Sequence, residues 1–416
     1  MQVIDSRGDP TIEVTIETIG GGIGRAIAPA GASRGRFEAV EVRDADPRRY
    51  KGRSVLKAVS NVLNYIAPTI QGMDSRKQFE IDRLMRELDG TPNKERLGGN
   101  AMIAASLAVA KAAASTAKMP LFQYLGGVRA RTLPVPMLNI VNGGAHAGNE
   151  LAVQEFMIVP VGFDSFSEAM RAAIEIYKEL KSLLKSRYGA SAINVGDEGG
   201  FAPPMKLVRE AIEALLSAIK SCGYDPEKQV RISLDAAASQ FFDESRGVYR
   251  IDGREVNRDE LVSYWMSLVD EFNILSIEDP FNEDDFDAYA ELRRLAKDKV
   301  IVVGDDLTVT NVSRLREALS KRSVSGVIVK PNQVGTLSET LDFIELAKQH
   351  GIITIISHRS GESEDTSIAH IAVAVGGPLI KTGAPARGER TAKYNELLRI
   401  EKTLGPDTTY AGKYFF

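Results

Sequence analysis

Cysteine is almost absent from this 416-residue chain: the one thiol, Cys222, cannot close an internal disulfide and excludes a multi-cysteine metal or iron–sulfur site. Histidine is nearly as scarce. The four residues His146, His350, His358 and His370 leave little room for imidazole-rich zinc chemistry. An excess of positive charge is also missing. The 52 Lys and Arg stand against 56 Asp and Glu, a formal net charge of -4, so no global basic field attracts nucleic acid or acidic lipid. The longest apolar run, residues 101–110, ends at Lys111 and is too short and too alanine-rich to span a bilayer. The first residues show no basic patch followed by an apolar stretch. These absences predict a cytoplasmic protein that handles small molecules, with no nucleic-acid or membrane partner, and oxygen ligands for any metal.

At this length two domains are expected. Residues 11–19 alternate so that Ile12, Val14 and Ile16 share one face of a half-buried strand, and Gly20, Gly21 and Gly22 turn the chain into a return arm over residues 23–28. These glycines lack the spacing of a nucleotide-binding loop. Three amphipathic helical segments follow, at 54–70, 74–88 and 100–117. The stretch from Gly126 to Pro134 mixes turn formers and charge. The boundary is therefore expected after residue 127, with a small α+β domain over 1–127 and a second domain over 128–416.

Beyond that boundary the pattern becomes short apolar runs, each stopped by a polar or charged residue and followed by a helical stretch. The runs end at Asp235, Glu278, Asp305, Lys330, His358 and Lys381. After a longer first step, lengthened by the polar stretch 243–258, they recur at roughly the 30-residue unit of a (β/α)8 barrel. Further strands are predicted at 136–140, at 155–159 and leading into Gly196-Asp197-Glu198-Gly199-Gly200. Continuous apolar runs of this kind suit parallel strands buried on both faces.

The active site of such a barrel lies at the C-terminal ends of its strands, so closure would gather the six stopping residues on one rim. Three carboxylates converging without Cys or His suit Mg²⁺, with Asp235, Glu278 and Asp305 as candidate ligands. A lysine close to a divalent cation is driven toward its neutral form, which makes Lys330 a candidate general base. Metal beside base suits abstraction of a proton alpha to a carboxylate, and Lys381 would add positive charge there.

The motifs that carry these residues resemble the enolase family. They are Asn194-Val-Gly-Asp-Glu-Gly-Gly-Phe-Ala-Pro203, Ser276-Ile-Glu-Asp-Pro-Phe281, Gly304-Asp-Asp-Leu-Thr-Val-Thr-Asn311, Lys330-Pro-Asn-Gln-Val-Gly-Thr336, Ser357-His-Arg-Ser-Gly-Glu362 and Lys381-Thr-Gly-Ala384. Asp5-Ser-Arg-Gly-Asp-Pro-Thr11, Gly31-Ala-Ser-Arg-Gly35 and Leu138-Asn-Ile-Val-Asn-Gly-Gly144 extend the likeness to the front of the chain. The resemblance implies an enolase-type barrel behind a small α+β domain, and reversible Mg²⁺-dependent dehydration of 2-phospho-D-glycerate to phosphoenolpyruvate.

By the same resemblance, Asp235, Glu278 and Asp305 hold a first Mg²⁺, and Ser33 ligates a second that arrives with substrate. Lys330 takes the C2 proton and Lys381 neutralises the substrate carboxylate. Glu198 protonates the departing hydroxyl with Glu155 beside it, a carboxyl pair in which one pKa is raised. His146 closes over the substrate, and Arg359 and Ser360, after His358, bind the phosphate. A homodimer or a ring of dimers is the implied assembly.

Three positions depart from the family. It carries a short stretch ahead of the Asp5-Ser-Arg-Gly motif, so the expectation is either an earlier start or a small domain short of one strand. Asp9 stands where Asn is usual and Gln240 where Glu is usual, and neither has an assigned role. Two further readings share the scaffold: a lyase or epimerase for another acid, and a non-catalytic binding role. The phosphate-directed Arg359, Ser360 and Ser33 weigh against the first, and the filled acid, base and metal positions weigh against the second. Cys222, His350, His370 and Trp265 read as structural residues.

Overall fold

The computed structural model describes residues 1–31, 35–144 and 147–415. In the small domain the alternating segment forms the strand Pro10–Glu17, paired antiparallel with Ile23–Ile27 across the glycine turn. The strand Gln2–Ile4 adds to its other edge, giving a three-stranded sheet. The segment expected to be an amphipathic helix at 100–117 is instead buried on nearly every side, as Gly99–Thr116. Its many alanines leave a slim helix that fits between the sheet and the barrel. At the barrel side, Ser106 Oγ accepts the N–H of Leu337 at 2.9 Å.

The strands Val135–Asn142, Glu155–Val159, Arg231–Asp235, Ser276–Glu278, Ile301–Gly304, Gly326–Val329, Ile353–Ser357 and Leu379–Lys381 close into a barrel in chain order. Two expectations need correction. The strand Glu155–Val159 runs antiparallel to both neighbours, because no crossover helix separates it from Val135–Asn142. The helices Phe166–Tyr188 and Val208–Ser221 then follow in succession before the next strand. The segment leading into Gly196 is not a barrel strand either. Eight others already complete the ring, and this one forms a 3-10 turn, Ala190–Ile193, and a loop held by bridges from Val195 and Val141 to Phe201.

The polar stretch after Asp235 forms a small ribbon from Phe242–Asp243, Val248–Ile251 and Arg254–Val256. Trp265, in the helix Arg258–Phe272, is fully buried and donates from Nε1 to Pro280 O at 3.0 Å, just past the strand that carries Glu278. Trp265→Ala is expected to cost about 3–5 kcal/mol of unfolding free energy, read as a lower denaturant midpoint, since it leaves both a cavity and an unpartnered carbonyl. Cys222 is partly buried, and His370 stacks on Phe122 and faces Glu396 at 3.2 Å. His350 is the exposed C-cap of the helix Leu337–Gln349.

The small domain docks on the rim at the carboxyl ends of the barrel strands. Ala30 and Gly361 exchange backbone hydrogen bonds at 2.8 and 2.9 Å, and Ala39 N–H donates to Gln333 O at 2.8 Å. Among the described residues, no helix is long and apolar enough to cross a membrane.

Candidate active site

Strand order decides which charges meet. Around the ring, Arg231–Asp235, Ser276–Glu278 and Ile301–Gly304 are consecutive, so Asp235, Glu278 and Asp305 stand side by side. Lys330 directly follows Gly326–Val329, the next strand round the ring. Glu155 lies on the strand next to Asp235, at its first residue, and pairs with Asp235 in register. Reversal of that strand therefore brings its N-terminal end to the rim where the other strands end. Lys330 and Glu155 leave from strands diametrically opposed in the ring, with the three carboxylates between them.

Apart from Glu278, which is buried, these groups line a cleft together with Glu198, His358, Arg359, Ser360 and Lys381. Lys381 crosses the barrel and places Nζ 2.8 Å from Asp235 Oδ2, 2.8 and 2.9 Å from the Glu278 oxygens, and 3.2 Å from Glu155 Oε2. Burial disfavours its charge, but Asp235, Glu155 and Glu278 outweigh burial and hold the ammonium well above its ordinary range. Glu278 is pushed well up by burial and by Asp235. Lys330 Nζ pairs closely with Asp305 Oδ2. Burial opposes its charge, Asp305 prevails, and the ammonium form is favoured, while Asp305 itself is held low by Lys330 against burial. The Lys330 backbone is extended, the geometry that the following Pro331 imposes.

The acid pair forms on the far side. Burial and the neighbouring Glu198 push Glu155 well above the usual carboxylate range, the effect expected where two carboxyls share one site. Glu198 Oε2 accepts from Asn139 Nδ2 at 3.1 Å and lies 3.7 Å from His358 Nε2. Glycine lets the Glu198 loop lie flat on the barrel mouth. Gly199 has φ +86, and a Cβ on Gly200 would sit 2.1 Å from Asn142 Oδ1.

Arg359 is buried and forked onto Glu38 of the small domain, with Nη1 2.7 Å from Oε2 and Nη2 3.3 Å from Oε1. Ser33 and His146 lie outside the described residues. Several residues of the site had no sequence signal that singled them out. Glu38 sat in a charged loop, and Asp279 stood beside the more prominent Glu278. Asp279 Oδ1 accepts from the Asp305 N–H at 2.9 Å and the Tyr289 hydroxyl at 2.9 Å, and Oδ2 accepts from the Asp306 N–H at 2.8 Å. Those bonds brace Asp305 through Asp279, and Asp279, Asp305 and Asp306 bring carboxylate oxygens within 4.8 Å of one another. Burial, with Asp305 and Asp235, pushes Asp279 up to about 7. Gln240 donates to Gln154 Oε1 at 2.7 Å at the edge of the cleft.

The donor set suits a hard divalent cation. Asp235, Glu278 and Asp305 are oxygen donors buried side by side, and a lysine ammonium already serves two of them as counter-ion. Fold and site together are those of a barrel enzyme whose rim of carboxylates and lysines suits a divalent cation. The description "Enolase, N-terminal domain" matches residues 1–125, and "Enolase, C-terminal TIM barrel domain" matches residues 130–416. Enolase from Aeropyrum pernix is 54% identical over 412 residues, covering 99% of this chain and 95% of that protein. Enolase from Methanocaldococcus jannaschii is 54% identical over 414 residues, covering 100% and 96%. Enolase from Methanopyrus kandleri is 54% identical over 403 residues, covering 97% and 94%. The chain belongs to the enolase family, and its activity is that of phosphopyruvate hydratase, a lyase.

Proposed function

We propose that this chain interconverts 2-phospho-D-glycerate and phosphoenolpyruvate with Mg²⁺, and that Lys330 and the Glu198/Glu155 pair carry out the two proton transfers. The observation that carries the assignment is their placement on opposite sides of the Asp235, Glu278 and Asp305 row. Substrate lying over that row presents its C2 hydrogen to Lys330 and its C3 hydroxyl to Glu198. Lys330 takes the C2 proton, and the electron pair left at C2 forms the double bond to C3 as the C3–O bond breaks. Glu198 delivers the proton with which that oxygen leaves as water.

Asp235, Glu278 and Asp305 would hold one Mg²⁺, and Ser33 a second that comes with substrate. A metal held there would supply positive charge to offset the charge that develops at the substrate carboxylate as C2 loses its proton, and Asp305, shared between that site and Lys330, links the two. Lys381 adds positive charge at the substrate carboxylate, His358 faces Glu198, and His146 closes the cleft. Arg359 and Ser360 take the phosphate, with Glu38 holding the Arg359 fork in place. Residues 1–127 act as the capping domain and 128–416 as the catalytic one. The protein works in the cytoplasm as a homodimer or ring of dimers, which sedimentation checks.

Treatment with EDTA is expected to reduce formation of the absorbing enol product from 2-phosphoglycerate to background, and added Mg²⁺ to restore it. Metal titration by calorimetry is expected to show one site without substrate and two with it. Turnover of a non-phosphorylated hydroxy acid, with none of 2-phosphoglycerate, overturns the assignment.

A further inference from the structure

Arg390, on the helix Gly388–Leu404, is fully buried, and its position in the sequence suggests an ordinary helix charge. Its guanidinium reaches two loops of the site at once. Nη1 lies 2.5 Å from His358 Nδ1 and donates to Arg359 O at 2.7 Å. Nη2 donates to Ser360 O at 2.6 Å and to Asp197 O at 3.1 Å, and Nε lies 3.4 Å from Glu389 Oε1.

The chemistry of this contact is one-sided. A guanidinium has donors and no acceptor, so His358 Nδ1 must accept, and a neutral ring then carries its one proton on Nε2. That nitrogen faces Glu198 Oε2 at 3.7 Å. A second proton on Nδ1 would set two donors against each other inside the protein. Burial, together with Arg390, Lys381 and Lys330, also holds the imidazole well below its ordinary value against the pull of Glu198.

We propose that Arg390 is a positioning residue that locks His358 as the Nε2–H tautomer, aims a neutral donor at Glu198, and fixes the Asp197-Glu198 loop against the 358–360 loop. The catalytic consequence rests on the reading of Glu198 as the acid, whereas the tautomer does not. Lys393, one turn along the same helix, reinforces the arrangement. It is buried and donates to Glu362 Oε2 at 2.6 Å, so two cations of one helix face support both ends of the 358–363 segment.

The test is a long-range ¹H–¹⁵N correlation of the four histidine rings in the Mg²⁺-loaded full chain, with His358 assigned by the signal lost in His358→Gln. The expected pattern at neutral pH is a bare Nδ1 and a protonated Nε2. A protonated Nδ1, alone or in an imidazolium, overturns the proposal, and this holds whether or not any Arg390 variant folds. Arg390→Lys, which keeps a donor, is expected to retain the pattern. Arg390→Met is expected to lose it and to slow dehydration on the order of 100-fold while C2 proton exchange persists. Unchanged ring signals and unchanged dehydration in Arg390→Met would also overturn it. If Glu198→Gln dehydrates normally, the acid assignment fails while the ring spectrum still decides the role of Arg390.

Discussion

Lys330→Ala is expected to abolish exchange of the C2 hydrogen of 2-phosphoglycerate with solvent and to lower kcat by about 10⁴-fold, close to 5 kcal/mol of barrier. No other described amine has its position at the end of the strand beside Asp305. Lys381 is occupied by Asp235, Glu278 and Glu155. Proton NMR in deuterated water reads the exchange directly. The substitution also removes the ammonium that competes for Asp305, so Mg²⁺ is expected to bind at least as tightly as in the parent. Loss of activity together with loss of metal binding would make Lys330 a structural partner of Asp305 rather than the base. Exchange that survives the substitution would exclude it as the base.

Glu198→Gln is expected to give the complementary result. The amide keeps the shape and can still accept from Asn139 Nδ2, but it has no proton to deliver to the leaving oxygen. C2 exchange should persist while dehydration falls about 10²- to 10⁴-fold, the usual contribution of a general acid. The two variants thus split one reaction at its intermediate. If both lost exchange and dehydration to the same degree, the assignment of Lys330 and Glu198 to opposite proton transfers would be wrong.

The legible part of the site has a common physical origin. A strand buried on both faces must be apolar throughout, so the first charged residue after it stands out, as Asp235, Glu278, Asp305, Lys330 and Lys381 all do. Glu155 was legible as a residue, but the direction of its strand was not. Apolar runs look alike read parallel or antiparallel, and the short connection before it was the only hint. Arg390 and Glu38 were missed for the opposite reason. A charge on a helix or loop is ordinarily solvated, and nothing local marks the few that the tertiary fold buries.

From the sequence alone followed the charged residues that end the barrel strands and the oxygen-donor character of any metal site, because both depend on residue type and on the apolar runs that present them. Only the tertiary structure decided the order around the ring, which sets Lys330 opposite Glu155, and the contacts of Arg359 with Glu38 and of Arg390 with His358. These join residues far apart in the chain, and their distances and directions exist only once the barrel has closed and the small domain has docked on its rim.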